Sequence, residues 1–403
     1  MYSAFFDQRE ERERAVIAII DEIYVKADIS NSGGVLYGFA EDNEEKEATT
    51  VLCIMIKCLF GGKKFVARLV PCSNLTSGFQ FEVTSSVLLT LGECGATVIA
   101  IINDNNKVNQ AFFNLFEPLD PQKPWIVRSL SNPSQQMFLM YDPVHIIKNL
   151  RNNWITERTR TLCFPVIDYF ASNVFQSRYA CWKHLQDLYQ HESMQPTKLS
   201  RLTKASIEPS NIEKQKVSLA LNVFSDETCS ALKFSSVSTE HTKTTALFIE
   251  QILKLWKLLN CKSPVASKRL NDVDRQVIRD TEEGRRPINT LYNWIYVARM
   301  MYPHERARNM TLTRETSSAL EWTCSCLIDL ALYLLRTEEK WKHDWVALGF
   351  FQQDDIERHF GHFRMSAGCN YYLTVKDIIN THSLDRAKIF LKVQSEDLDD
   401  LHA

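Results

Sequence analysis

The sequence lacks paired cysteines of the C-x-x-C type, although it contains 11 cysteines in 403 residues. An odd number of cysteines without this spacing fits neither a disulfide framework nor a zinc module. We therefore expect reduced, mostly buried thiols, which are typical of cytosolic and nuclear proteins.

The sequence also lacks an excess of charge, because 47 basic residues face 49 acidic ones and the net charge is −2. DNA binding would therefore have to come from local basic patches and not from a globally basic chain. No apolar run approaches the roughly 18 residues that a membrane span needs, so no membrane association is expected. The first residues, MYSAFFDQREERERAV, are too charged for a signal peptide.

Internal repeats, low-complexity tracts and the G-x-x-x-x-G-K-[ST] pattern of a P-loop are absent as well. What the chain has is apolar material, with 45% hydrophobic and 24% charged residues. This composition predicts a globular, intracellular protein of about two or three domains.

The first third of the chain predicts strands. The strand-like runs are AVIAIIDEIYV (15 to 25), GVLYGFAED (34 to 42), TTVLCIMIKCLF (49 to 60) and KFVARLV (64 to 70). They are rich in β-branched residues and are separated by turn signals, so at least three antiparallel strands are expected. The next segment, FQFEVTSSVLLTLGECG, has helical spacing and leads into a buried strand, ATVIAIIND (96 to 104). A helix between two strands is the connection that builds parallel pairing.

After a short strand, MFLMYD (137 to 142), the pattern from about residue 145 to 345 is helical, and no strand is expected there. The amphipathic segments are SLALNVFSDETCSALKF, TALFIEQILKLWKLLN and SSALEWTCSCLIDLALYLLR. The polar segment 263 to 287 is expected to be a loop or a solvated helix. The tryptophans at 154, 182, 256 and 322 are expected in the core.

Acidic residues end two of the predicted strands and begin a late helix. Asp21 ends AVIAII, Asp104 ends TVIAII, and Glu357 lies in QQDDIERHFGHF. An acid at the end of a buried strand is costly unless it is paired or binds a metal ion. Three such carboxylates suit two-metal phosphoryl transfer with Mg²⁺ or Mn²⁺. Spacing alone leaves the alternative open that these acids are turn formers or helix N-caps.

Five motifs together resemble the P element transposase family, which includes the THAP-domain transposases of animals. In chain order they are IIDEIYVK, VIAIINDNNKVN, MYDPVHIIKNLRN, QKVSLALNVFS and QQDDIERHFGHFRMSAG. The resemblance implies an α/β fold, in which a ribonuclease-H-like mixed sheet with flanking helices is interrupted by a large all-α insertion. The implied domains are residues 1–144, a GTP-binding-domain-like insertion at 145–345, and the completion of the core at 346–403.

The resemblance also implies roles for individual residues. Asp21, Asp104 and Glu357 would be the D-D-E triad that binds Mg²⁺ or Mn²⁺, with Phe360 and Phe363 packing the helix of Glu357 down. The positions that match the family's GTP site are Asp354, Lys216, Asn260 and Arg201. Lys257 stands where the family has an aspartate that reads the guanine, which should weaken a preference for guanine.

The segment HIIKNLRNNWITERTR could present Lys148, Arg151 and Arg158 to DNA phosphates. The alternative is an ordinary solvated helix face, since Glu157 lies among these cations. His145 is expected to cap or orient Asp142.

The chain departs from the family at both ends. No zinc module precedes residue 15, so the family's site-specific DNA-binding domain is expected to be missing. RMSAGCNYYLT replaces the family's Gly-Gly…Pro-Thr, with Ala367 and Leu373 at the altered positions.

Three functions follow as hypotheses. The first is a nuclear P-element-type DNA transposase, or a protein derived from one, that cleaves and joins DNA strands with its triad. The second is a catalytically silent derivative that binds DNA, nucleotide or protein. The third is a ribonuclease-H-like nuclease unrelated to transposition, which would have no use for QKVSLALNVFS or the insertion. The DNA partners would be transposon ends and target, and homo-oligomerisation stays open.

Overall fold

The computed structural model describes Phe6 and residues 11–167, 176–302, 309–336 and 343–400. The chain forms two compact units. Unit 1 comprises Met1–Leu139 and Gln353–Ala403, and unit 2 comprises Met140–Gln352. The sequence-based boundaries lie a few residues away, after residues 144 and 345.

Unit 1 is built on a six-stranded mixed sheet with the order β5-β4-β1-β6-β8-β7. Its strands are β1 (Ala15–Tyr24), β4 (Thr50–Cys58), β5 (Lys64–Cys72), β6 (Thr97–Asn103), β7 (Ile126–Arg128) and β8 (Gln136–Tyr141). β1 pairs antiparallel with β4 and parallel with β6. The mixed sheet confirms the sequence-based prediction. The helix after β5 leads to a parallel strand, but β6 pairs with β1 and not with β5.

The centre of the sheet is buried on both faces. Every residue of β4 and the first six residues of β1 are buried. Continuous β-branched and apolar runs are the sequence expression of such a strand, because neither face meets water.

The predicted strand at residues 34 to 42 is wrong in its extent. Val35–Tyr37 (β3) pairs only with Ser30–Ser32 (β2) in a separate two-stranded hairpin. Gly38 interrupts the run with a φ of 109°, and a Cβ there would lie 2.0 Å from the Asp28 carbonyl oxygen. This backbone conformation is accessible to glycine and ends the strand.

Helices flank the sheet of unit 1. They are α1 (Ser77–Glu93), α2 (Lys107–Phe113), α12 (Asp354–Ser366) and α13 (Val375–Asp400). α1 occupies the predicted crossover between β5 and β6, and Thr76 caps it by accepting from the Phe79 amide. Phe81 of α1 packs edge to face on Phe112 of α2.

Unit 2 is mainly helical. Its helices are α3 (Pro143–Trp154), α4 (Trp182–Ser193), α5 (Lys204–Ile207), α6 (Val217–Val223), α7 (Asp226–Phe234), α8 (Glu240–Leu259), α9 (Ala266–Leu270), α10 (Arg286–Met300) and α11 (Arg314–Arg336). The helix predicted at 218 to 234 is two helices. The first ends at Val223 with Phe224 as its C-cap, and Ser225 caps the second by accepting from the Thr228 amide. The polar segment 263 to 287 contains α9, irregular chain and a 3₁₀ turn.

Unit 2 also contains a hairpin that the sequence did not predict. Thr161–Pro165 (β9) pairs antiparallel with Ser177–Cys181 (β10). Both strands have five residues, and such short segments carry too little periodicity to be told from loop. The expectation of an all-α insertion is therefore wrong at this hairpin.

Aromatic residues form the core of unit 2. Trp154 is fully buried and packs on Trp182, Phe224 and Phe248. Trp256 is also buried, as predicted. α11 is long and apolar enough to cross a membrane by length and composition, and 61% of its most apolar window is buried inside the protein.

All eleven cysteines are free thiols, and most of them are buried. Their burial agrees with the expectation of mostly buried thiols. Burial raises the pKa of the Cys72 thiol to about 12, with Asp42 adding to the effect.

Asp42 links the turn before α1 to the segment after β3. Its carboxylate accepts from the Ser73 amide at 2.7 Å and from the Asn74 amide at 2.8 Å. Burial alone would raise the pKa of Asp42, but these hydrogen bonds outweigh burial and the pKa is lowered.

We expect Asp42→Asn to lower the free energy of unfolding by about 1 kcal/mol at pH 7, because a charged acceptor is lost. A lowered native pKa stabilises the fold above the ordinary carboxyl pKa, and this contribution is lost as the pH falls through the native value. The difference between wild type and variant should therefore shrink below about pH 4. Urea denaturation from pH 7 to pH 3 tests this, with the exposed Glu44→Gln as a charge-matched control. A pH-independent difference would contradict it.

Candidate active site

Two of the predicted acids lie at the carboxyl ends of neighbouring parallel strands. Asp21 lies within β1, three residues before its end, and Asp104 directly follows β6. Ile19 on β1 pairs with Ile102 on β6. The same register, extended by two residues, places Asp21 beside Asp104 at the carboxyl ends of β1 and β6. Strands that pair in a sheet lie about 4.8 Å apart, so the two residues are neighbours.

A side-chain network orients Asp104. Its Oδ1 accepts from the Asn109 side-chain amide at 2.5 Å and from the Asn106 backbone amide at 3.2 Å. The Asn109 Oδ1 in turn accepts from Gln80 on α1 at 2.8 Å, and both amide residues are buried. The asparagine five residues after the second acid, visible in VIAIINDNNKVN, is therefore the group that holds its carboxylate.

Glu22 is an acid of this site that the sequence analysis did not single out. It follows Asp21 on β1, and the Asp21 carboxylate accepts from its backbone amide at 2.9 Å. Burial raises the pKa of Glu22, and the charge of Asp104 raises it further. The two acids side by side in IIDEIYVK were the available signal.

The helix that carries Glu357 begins at the same end of β1. The side chain of Gln353, the N-cap residue of α12, donates to the carbonyl oxygen of Ile20 at 2.6 Å. The Glu357 amide donates to the Gln353 carbonyl oxygen at 3.1 Å, one turn into the helix. Glu357 is exposed, while Asp21 and Asp104 are half-buried.

α12 covers the face of the sheet on which Asp21 lies. Alternate residues of a strand share a face, so Asp21 lies on the face of Ile17. Ile17 pairs with Lys57 of β4, and the Lys57 ammonium binds Asp355 of α12 at 2.9 Å. Lys64 of β5 binds the same carboxylate at 2.5 Å.

We call Asp355, Lys57 and Lys64 the Asp355 clamp. The Asp355 side chain is 13% exposed and that of Lys57 is 11% exposed. Burial alone would raise the pKa of Asp355, but Lys64 and Lys57 outweigh it and lower the pKa to about 2. Ile356, Phe360 and Phe363 are buried beside the clamp, which confirms that the two phenylalanines pack this helix down.

Asp21, Asp104 and Glu357 have carboxylates of the kind that bind hard metal ions, but these carboxylates are not arranged around a common metal position. Among the residues that the structure describes, no group of three or more His, Cys, Asp or Glu side chains is arranged to hold a metal ion. Carboxylate oxygens are the ligands that Mg²⁺ and Mn²⁺ prefer. Asn103, directly before Asp104, is fully buried, and neither its Oδ1 nor its Nδ2 has a partner in the described structure. Such a group calls for an ordered water or ion.

The residues of the predicted nucleotide site are spread over both units. Asp354 belongs to unit 1, whereas Arg201, Lys216 and Asn260 belong to unit 2. Arg201 and Lys216 are exposed, and Asn260 is the half-buried C-cap of α8. Within the described ranges, no hydrogen bond or ion pair joins these three residues of unit 2.

Lys257 forms ion pairs with two aspartates. The resemblance predicts an aspartate at this position. Its ammonium lies 3.0 Å from Asp226 of α7 and 3.3 Å from Asp272, and its side chain is 11% exposed. Burial alone would lower the pKa of Lys257, but the two aspartates outweigh it and the pKa is raised. The cation is thus held by the protein itself.

Two of the three predicted DNA contacts are buried. Lys148 donates to the Gln215 side chain at 3.3 Å, and Arg151 donates to the Lys214 carbonyl oxygen at 3.1 Å. Arg151 is fully buried, and burial lowers its pKa to about 10. The expectation of a basic surface is therefore wrong for Lys148 and Arg151, because α3 turns them toward the interior of unit 2. Arg158 is exposed, and its DNA contact stays a prediction.

Asp142 and His145 have the reverse of the predicted relation. Asp142 is the N-cap of α3, and its side chain accepts from the His145 backbone amide at 3.2 Å. The aspartate therefore caps the helix, as aspartates at this position commonly do.

Comparison with known proteins agrees with this architecture. Residues 3–117 match the family described as "TNP-like, RNase H N-terminal domain", and residues 144–272 match "TNP-like, GTP-binding insertion domain". Among solved structures, the chain resembles the "Drosophila P element transposase strand transfer complex" with a TM-score of 0.75 and 16% sequence identity. The match covers 95% of this chain and 79% of that chain. No curated protein matches the sequence.

The fold is therefore that of a ribonuclease-H-like protein with an inserted, mainly helical unit. The two matched stretches together span more than half of the chain, in the order that the five motifs predicted. The chain belongs to the P-element-type transposase family.

We expect Asp355→Ala to destabilise unit 1 by about 2 kcal/mol, because it removes the carboxylate that two lysines share. Hydrogen exchange should rise along α12, since the clamp ties this helix to β4 and β5. The matched control is Arg358→Ala, which removes a third, 68% exposed partner of the same carboxylate and should cost less than about 0.5 kcal/mol. Equal effects of both variants would contradict a buried clamp.

Proposed function

We propose that this protein cleaves and joins DNA strands with the acids of unit 1. The observation that supports this proposal is the meeting of three chain segments at one end of β1. Asp21 lies near the end of β1, Asp104 directly follows the adjacent parallel strand β6, and the N-cap residue of α12 is bonded to the Ile20 carbonyl oxygen. The P-element-type transposase family gives the class of reaction, and a relative of the same fold is a strand transfer complex.

In this proposal Asp21, Asp104 and Glu357 hold two Mg²⁺ or Mn²⁺ ions. These ions would activate the attacking water or 3′-hydroxyl and stabilise the leaving oxygen at a phosphodiester. Asn109 keeps the Asp104 carboxylate oriented, and Gln353 keeps the first turn of α12 at the end of β1. Glu357 is an exposed residue of that first turn.

The competing function is a silent derivative that keeps the fold and binds DNA, nucleotide or protein. Burial of Lys148 and Arg151 removes two expected DNA contacts and favours this alternative. Retention of all three acids favours catalysis, and so do the hydrogen bonds from Asn109 and Asn106 that orient the Asp104 carboxylate. Mutation of residues that orient a metal ligand typically costs metal affinity or activity. Either function would be exercised in the nucleus.

We expect the purified chain to nick supercoiled DNA in the presence of Mg²⁺ or Mn²⁺ and not in EDTA. Asp21→Asn, Asp104→Asn and Glu357→Gln should each lower the rate by more than about 100-fold, because each removes a proposed metal ligand. Asp120→Asn is the control, since Asp120 is an exposed acid of the same unit outside the site.

Nicking by Asp104→Asn at the wild-type rate would contradict the proposal. If the wild-type chain binds DNA but does not nick it, the result would instead favour the silent derivative.

We also propose that unit 2 binds a purine nucleotide with little preference for guanine. The match to a GTP-binding insertion domain supports a nucleotide site. Lys257 offers no acceptor for the guanine amino and imino groups, and it is already engaged by Asp226 and Asp272. A lost acceptor pair costs about 1–3 kcal/mol of discrimination.

Fluorescent GTP and ATP analogues should therefore bind with affinities within about tenfold of each other. Lys216→Ala should weaken both, because it removes a cation at the site that matches the family's nucleotide-binding lysine. Lys243→Ala is the control, since Lys243 is an exposed lysine paired with Glu240 in the same unit. A preference for GTP of more than about 100-fold would contradict the proposal.

A further inference from the structure

An exposed aromatic surface lies in the turn between α12 and α13. Tyr371 and Tyr372 are 70% and 68% exposed. Their ring centroids are 5.3 Å apart with an interplanar angle of 85°. The guanidinium carbon of Arg364 lies 5.4 Å from the centroid of the Tyr371 ring. We call Tyr371, Tyr372 and Arg364 the tyrosine platform.

The turn that bears the platform is held on both sides. The Tyr372 amide donates to the Asn370 side chain at 3.1 Å. Leu373 is fully buried, and its carbonyl oxygen accepts from the Lys26 amide at 2.7 Å. Thr374 is bonded to the Asp377 carboxylate through its amide and its hydroxyl. The two tyrosines are therefore presented to solvent by a fixed backbone.

The backbone before the tyrosines is also unusual. Cys369 has a φ of 62°, a left-handed conformation that is rarely adopted by residues other than glycine, and Gly368 before it has a φ of 75°. Such a conformation costs about 1 kcal/mol in a residue with a side chain. The chain thus adopts a strained turn and leaves two large rings unburied, which together point to a surface with a partner.

Two elements of unit 1 connect the platform to the candidate active site. Lys26, which bonds to Leu373, follows Asp21 by five residues on the chain that leaves β1. Arg364 lies on α12, the helix of Glu357. Tyr24, the last residue of β1, is 81% exposed and adds a third ring on the strand of Asp21.

The charge around the rings selects the kind of partner. Residues 364 to 374 contain no acidic residue, and both Arg364 and the exposed Lys26 are cations. Cations beside exposed aromatic faces fit a polyanion that also carries flat rings, which is the chemistry of a nucleic acid. An acidic peptide would satisfy the cations but would leave the ring faces uncovered.

We propose that the tyrosine platform stacks an unpaired base of the DNA strand whose phosphodiester lies at the acids. In a duplex every base is paired and is stacked on its neighbours, so an unpaired base with free faces is available only in a single-stranded extension. This inference rests on the proposed function for the presence of DNA at the acids. The stacking itself needs neither the metal ions nor cleavage.

The test is the affinity of the full chain for labelled DNA in EDTA, measured by fluorescence anisotropy. The probes are a blunt duplex and the same duplex with a short 3′ single-stranded extension. Loss of aromatic stacking commonly weakens single-strand binding by about tenfold or more per base. We therefore expect the double variant Tyr371→Ala and Tyr372→Ala to lose at least about tenfold on the extended probe and little on the blunt one.

Two matched variants separate stacking from damage to the fold. The double variant Tyr371→Phe and Tyr372→Phe keeps both rings and should bind like wild type. Tyr292→Ala removes a 54% exposed tyrosine of unit 2 and should also bind like wild type. Crosslinking to 5-bromodeoxyuridine placed in the extension should yield a peptide containing Tyr371 or Tyr372 by mass spectrometry.

Several results would overturn the proposal. They are an unchanged affinity of the double alanine variant for the extended probe, an equal loss on both probes, and a change confined to the oligomeric state in sedimentation. The outcome is distinct from that of the nicking experiment. Stacking without nicking would support the tyrosine platform and contradict the proposed catalysis. Nicking with unchanged affinities of the variants would support catalysis and contradict the platform.

Discussion

The seating of α12 against the end of β1 is the contact on which the candidate active site depends. Asp21 and Asp104 are brought together by strand pairing alone, but Glu357 comes from a distant part of the sequence. The Gln353 side chain donates to the carbonyl oxygen of Ile20, directly before Asp21. The Asp355 carboxylate binds Lys57 of β4 and Lys64 of β5. A helix fixed at two points in its first turn can hold a third acid near the other two.

Buried charge is handled in opposite ways in the two units. In unit 1 the Asp355 carboxylate forms ion pairs with two lysines, and in unit 2 the Lys257 ammonium forms ion pairs with two aspartates. Arg151 has only a backbone carbonyl, and two of its guanidinium nitrogens have no partner in the described structure. A buried cation with so few acceptors is costly.

The sequence could predict what depends on local pattern. Buried strands are continuous apolar runs, so β1 and β6 were visible, although β1 continues past Asp21 to Tyr24. The helix between β5 and β6 implied a parallel strand but did not identify β1 as its partner. The ordered motifs located Glu357. Contacts between distant residues left no such pattern, since Lys64 and Asp355 are 291 residues apart. The inward turn of Lys148 and Arg151 was equally hidden, because amphipathic reasoning assigns charged residues to the outer face of a helix. Short strands such as β9 and β10 fall below the length at which periodicity is informative.

The order of the segments along the chain has a consequence for biosynthesis. Asp21 and Asp104 are translated before unit 2, and Glu357 is translated after it. A nascent chain can therefore pair β1 with β6 long before Glu357 leaves the ribosome. A polypeptide that stops within unit 2 would carry two carboxylates and no α12. With the function proposed above, translation that is interrupted within unit 2 would yield only inert products, because the third acid would be absent.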